Sequence, residues 1–210
     1  VALPDTEPPA PVTDVERAAF WAALHARHPP LRVALAADAR VYAMHRGERH
    51  EFRSRLDLAG QLVRLAWVSD AFLAQALYRA GARAQGLGIP VLARGAHRLA
   101  MALAQVSIGD PVIVAPGVYI VHGQVVIDGL VEIGAGTVIA PFVTIGLRAG
   151  DVRGPILEEE VSVGTGAKLI GPIRVGRGAQ VGANAVVVDD VAPGSTVVGA
   201  PARPVRMPVP

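Results

Sequence analysis

His122 is the one histidine in the second half of the chain, and it stands where a repeat slips. Ile108, Val114 and Ile120 are spaced by six residues, and Ile127, Ile133, Ile139 and Ile145 again by six, but the step from Ile120 to Ile127 is seven. An extra residue in an extended segment bulges outward and re-aims a side chain, a device often found beside active sites. Imidazole titrates near pH ~6.5, so His122 could take a proton from a hydroxyl or an amine at neutral pH. Such help is worth about 10²–10⁴ in rate. The plainer alternative is a corner residue hydrogen-bonded to backbone. Arg153 lies where the same repeat is interrupted, and its planar fork suits a carboxylate or a phosphate; a solvated loop arginine fits that place equally well. Histidines 25, 28, 45, 50 and 97 fall in the first half and read as surface or packing residues. The chain has no cysteine, which excludes a disulfide framework, thiolate metal ligation and a cysteine nucleophile. With one histidine in that half, zinc has too few ligands, so no metal is expected.

The elements that must position these residues follow from the repeat. Ile127, Ile133, Ile139, Ile145, Leu157, Val163, Leu169, Val175, Val181 and Val187 all lie on one six-residue grid, which only Asp151 breaks. A period of six is neither helical nor that of an ordinary strand. It fits a short strand plus a corner, three to a coil, each coil burying its aliphatic residues on the next. Stacked coils then lie about 4.8 Å apart.

The first half has other physics. Residues 1–105 hold seven of the nine aromatic residues and six of the 23 glycines. They carry 13 arginines against nine acidic residues, a balance of +4, whereas residues 106–210 carry six arginines and Lys168 against nine, a balance of −2. Two modules are expected. DVERAAFWAALHARH reads as a helix with Asp14 as N-cap, ended by Pro29-Pro30. LRVALAADARVYAMHRG is a second, stopping at Gly47. SRLDLAGQLVRLAWVSDAFLAQALYRAGARAQG reads as one long helix, and IPVLARGAHRLAMALAQ as a fourth. Their rich apolar surface predicts packing against the second module or another subunit. The Pro-rich start lacks a basic n-region and reads as a disordered arm, not a signal peptide. No run of about 18 apolar residues predicts a membrane span. Together with the missing cysteines this fits a cytoplasmic protein. The division expected is a disordered arm over 1–13, a helical domain over 14–105, a repeat domain over 106–205 and a tail over 206–210.

Residues 106–205 resemble the hexapeptide-repeat acyltransferases, with VSVGTGAKLIGPIRVGRGAQVGANAVVVDDVAPGSTVVGAPARPV nearest to the serine acetyltransferase-like branch. The resemblance implies an α+β chain, helices followed by a left-handed parallel β-helix, assembled as a homotrimer or a dimer of trimers. It implies transfer of an acyl group from acetyl-CoA to a small polar acceptor, with His122 as general base at the junction between subunits. It also implies coenzyme A along the C-terminal coils, against Gly146, Thr165 and Ala183 at successive corners, with Lys168 and Arg203 toward its phosphates. Ordinary corner geometry also accounts for the small residues.

The chain departs from that branch near the acceptor. Val121 stands where the branch has an aspartate before the histidine, and Ser107 where a further aspartate pairs with it. Gly154 replaces the histidine of its Asp-Arg-His-Pro loop, while Arg153 remains to anchor an acceptor. Asp128 is the candidate substitute carboxylate if the bulge brings it near His122. L-serine as sole acceptor is put in question. Two other functions are open: a non-catalytic β-solenoid scaffold, which the missing aspartates favour, and an RNA-binding module on the arginine-rich helices. The latter is disfavoured because no aromatic platform accompanies the arginines, so no nucleic-acid partner is expected.

Overall fold

The computed structural model describes residues 13–205. The expected arm (but for Thr13) and tail lie outside that range. Five helices come first: α1 (Asp14–Ala26), α2 (Leu31–His45), α3 (Arg55–Val68), α4 (Asp70–Gly86) and α5 (Pro90–Ala104). Two details differ from expectation. The N-cap of α1 is Thr13, not Asp14, because Thr13 and Glu16 cap each other reciprocally. The long third helix is two, because the Ser69 side chain accepts from the Phe72 N–H and starts α4 afresh.

A parallel β-helix follows. Its first coil is β1 (Val106–Ile108), β2 (Ile113–Val114) and β3 (Tyr119–Ile120), and its second β4 (Val125–Ile127), β5 (Leu130–Ile133) and β6 (Val138–Ile139). The third is β7 (Thr144–Gly146), β8 (Arg153–Leu157) and β9 (Ser162–Val163), and the fourth β10 (Lys168–Ile170), β11 (Arg174–Val175) and β12 (Gln180–Val181). β13 (Val186–Val187), a bridge from Val191 to Val175 and β14 (Thr196–Val198) make the last, which the antiparallel β15 (Arg203–Val205) closes. The strands form three faces, β1-β4-β7-β10-β13, β2-β5-β8-β11 and β3-β6-β9-β12-β14-β15. They are called here the first, second and third face. The six-residue grid becomes three buried aliphatic columns. Ile108, Ile127, Ile145, Leu169 and Val187 stack on the first face. Val114, Ile133, Leu157 and Val175 stack on the second, and Ile120, Ile139, Val163, Val181 and Val197 on the third.

The first coil has no coil beneath it, so its backbone groups on that side need other partners. The helices supply them. The Arg79 guanidinium donates to the carbonyls of Val114 and Ala115, and Gln75 Nε2 donates to Val118 O at 3.1 Å. Tyr78 donates to Val112 O at 2.6 Å, and Tyr42 Oη accepts from the Ile120 N–H at 3.3 Å. Asp38 accepts from the Gly117 N–H at 2.8 Å and pairs with Arg79 at 3.0 Å, both carboxylate and guanidinium being shut from solvent. Tyr42, Leu65 and Phe72 share one apolar core with the coil residues. The helical segment therefore sits as a cap on the β-helix, directly beneath the strand that leads to His122.

Candidate active site

The register locates the slip. Ile120 pairs with Ile139, nineteen residues on, whereas Ile127 pairs with Ile145, eighteen on. The extra residue therefore lies between β3 and β4, at the corner 121–124 that joins the third face to the first. His122 is exposed there. Two features fix the corner. Gln124 takes a left-handed backbone with φ 64°. Gly123 runs so close to the end of α5 that a Cβ would overlap the Ala104 carbonyl oxygen, so only glycine lets the bulge sit against the helix.

The same corner recurs in each coil above. Phe142 (φ 63°), Gly166 (φ 75°) and Asn184 (φ 56°) follow Gln124 in its left-handed position. Thr165 and Ala183 flank that position, with the Asn184 N–H donating to Thr165 O at 2.8 Å and the Gly166 N–H to Pro141 O at 2.9 Å. Lys168 leaves the same corner, and its Nζ donates to Phe142 O at 2.6 Å. At about 4.8 Å per coil, Thr165 stands roughly two coils and Ala183 three above His122. Arg203 follows the last turn of this corner and faces Asp189 at 3.3 Å.

Gly146 does not join this column. A stack with Thr165 assumes coils of uniform length, but the third coil carries six extra residues between β7 and β8, one whole repeat. Thr144 therefore pairs with Lys168 and Gly146 with Ile170, which sets Gly146 at the next corner, between the first and second faces. That insertion is also why Asp151 falls on the grid without an aliphatic side chain: it lies in the loop before β8.

Asp128 and Arg153 occupy this second corner too. Asp128 follows β4, so the length of that strand separates it from His122. Its Oδ1 accepts from the Gly129 N–H at 2.8 Å, closing the turn, and among the described residues no hydrogen bond joins it to the imidazole. The bulge does not bring Asp128 to His122 within one chain. Arg153 opens β8 opposite Leu130, and its fork is held by Asp151 at 2.7 Å. The guanidinium holds the Asp151 carboxyl down to about 2. Asp151 takes Nε and Nη2 of the fork and leaves the exposed Nη1 unbonded among the described residues. Among the described residues no group of three metal-ligating side chains is gathered, and no helix is long and apolar enough to cross a membrane.

No protein-family model matches the chain. It is 37% identical over 134 residues to a serine acetyltransferase of Mycobacterium tuberculosis, covering 62% of this chain and 56% of that one. It is 40% identical over 116 residues to a serine acetyltransferase of Helicobacter pylori, covering 53% of this chain and 67% of that one. A solved serine acetyltransferase in complex with CoA superimposes with a TM-score of 0.66 at 25% identity, covering 81% of this chain and 68% of that one. The chain belongs to the serine acetyltransferase family. It spans little more than half the length of the Mycobacterium tuberculosis relative.

Two of the positions at which the sequence departs from the serine acetyltransferase-like branch have physical consequences. Ser107 lies on β1 beside Val126 of β4, so that strand pair carries a hydroxyl and an isopropyl group and no carboxylate. Gly154 is buried, and a Cβ there would overlap Val131 Cγ2. A histidine at 154 does not fit unless Val131, itself fully buried, moves.

Proposed function

We propose that the protein is a coenzyme A-dependent acyltransferase that moves an acetyl group to the hydroxyl of a small polar acceptor, with His122 as general base. The observation that carries this reading is the shared corner. One extra residue puts an exposed imidazole at the foot of the column that holds Thr165, Ala183 and Lys168, so an acyl-CoA laid along that column would present its thioester at His122. Lys168 and Arg203 lie toward the upper end, suited to its phosphates; Gly146, set at the other corner, is the weakest member of the expected donor site. His122 would take the acceptor hydroxyl proton as the oxygen attacks the thioester carbonyl. The tetrahedral adduct then expels the thiolate, which the imidazolium protonates.

Arg153 and Asp128 stand at a different corner from His122, so they reach an imidazole only if a neighbouring copy supplies it. This favours an assembly with its sites between subunits, a homotrimer or a pair of trimers. The apolar residues left exposed on the helices, Leu56, Val63 and Trp67 among them, favour the larger one. Val121, Ser107 and Gly154 argue for an acceptor site altered from that of serine-specific relatives. The domain division at about residue 105, the cytoplasmic location and the absence of a metal belong to the same proposal. The test is thiol release from acetyl-CoA against a panel of hydroxyl and amine acceptors that includes L-serine; the protein has no cysteine to add background. Release that depends on one acceptor class supports the reading. A specific observation favours one other, a non-catalytic scaffold: His122 has no carboxylate to orient it within the chain. No release with any acceptor, together with no binding of coenzyme A, would establish that alternative.

A further inference from the structure

We propose that the cleft between the α1–α2 turn and α4 is a second binding site, for a small ligand carrying phosphate. It is a concavity of about 590 Å³ on the helical cap, and its walls include Arg32, Arg79, Arg83, His25 and His28 but no acidic residue. Arg79 is neutralised by Asp38 behind the wall. Arg32 and Arg83 have no ion-pair partner among the described residues. Arg17, Arg27, Arg46, Arg49 and Arg64 on the same cap are each paired, and the others unpaired among the described residues, Arg40, Arg53, Arg55, Arg94 and Arg98, do not line the cleft. Two unpaired guanidinium forks on one acid-free cleft make a strong local demand for a multivalent anion.

Two further features agree. α2 begins at Leu31 on the cleft wall, and no side chain caps its first turn, so its dipole and free amides add to the attraction. His28 Nε2 is shut from solvent without a hydrogen-bond partner. Burial, then the neighbouring charges of His25, Arg79 and Arg27, push its imidazole down to about 4. Two guanidinium forks and a helix terminus lining one cleft suit a phosphate group. The volume exceeds that of orthophosphate, so a diphosphate or a phosphate ester is the class favoured. The site is separate from the donor column, where Lys168 and Arg203 lie.

Calorimetric titration of the full chain with inorganic pyrophosphate, at fixed ionic strength against a chloride control, tests this. Binding is expected in the parent and in K168A/R203A. It should weaken at least tenfold in R32Q/R83Q, which changes two exposed side chains and should fold normally by circular dichroism. Tighter binding of glycerol phosphate than of pyrophosphate would identify an ester as the ligand, and the reverse an inorganic phosphate. Binding that is lost in K168A/R203A and kept in R32Q/R83Q would overturn the proposal by assigning the anion to the donor column. Heat no greater than that of the chloride control would overturn it outright. Neither result bears on acetyl transfer.

Discussion

Asp38→Ala should cost far more stability than any surface ion pair, and the structure says why. The Asp38 and Arg79 side chains are 1% and 3% exposed. Asp38 receives two hydrogen bonds from the guanidinium, at 3.0 and 3.3 Å, and one from the Gly117 N–H at 2.8 Å. Alanine leaves a buried cation without its counter-ion and a buried amide without its acceptor. Breaking a buried pair from one side costs about 3–5 kcal/mol, against a total stability of about 5–15 kcal/mol for an ordinary domain. Urea unfolding followed by far-UV circular dichroism should therefore show a midpoint lowered by about a fifth or more. The double change D38L/R79M should not restore the loss, because it also strips the Val114 and Ala115 carbonyls and the Gly117 N–H of their partners. A loss below about 1 kcal/mol, the value of an exposed pair, would refute the claim that this pair holds the cap on the first coil.

Three other outcomes can be checked with the same protein. Gly123→Ala forces a methyl group onto the Ala104 carbonyl and should cost about 1–3 kcal/mol; because it displaces the His122 corner, kcat should fall in the folded fraction as well. Phe142→Gly relieves a left-handed phenylalanine (φ 63°) whose side chain is 54% exposed, so urea unfolding should find it more stable by up to about 1 kcal/mol. His28 titrates at about 4 in the fold against 6.5 when unfolded, so between these values the unfolded chain binds the extra proton. Stability should fall as pH drops from about 6.5 toward 4, and His28→Gln should flatten the slope of urea midpoint against pH in that window. Glu48 and Asp151, both held down to about 2 by arginine partners, should add their own losses only at lower pH.

The β-helix was legible because its physics is periodic. One buried aliphatic per strand repeats every six residues, and those residues became the three columns. The slip at His122 was legible for the same reason, since a register error shows against a strict grid. What periodicity conceals is insertions of whole repeats. The six residues before β8 leave the grid in phase while adding to the coil, so spacing alone put Gly146 beneath Thr165 when the register puts it at another corner. The separation of His122 from Asp128 and Arg153 was hidden likewise, because it depends on which corner each segment turns. In the helical half, the apolar pattern runs through Ser69 without a break, and only the Ser-Asp pair there hinted at a new N-terminus. The clamp of Asp38, Tyr42, Gln75 and Arg79 had no signal at all. Each is an ordinary polar residue on an amphipathic helix, and its partner is a backbone group of a distant coil.

The central claim is that the imidazole at the bulged corner removes the acceptor proton. Its most direct test is kcat/KM for acetyl-CoA-dependent thiol release in the parent and in His122→Ala, using the acceptor found by the panel. The account predicts a fall of about 10² or more, with coenzyme A affinity and assembly size unchanged. Retention of the parent rate in a folded, CoA-binding variant would contradict it.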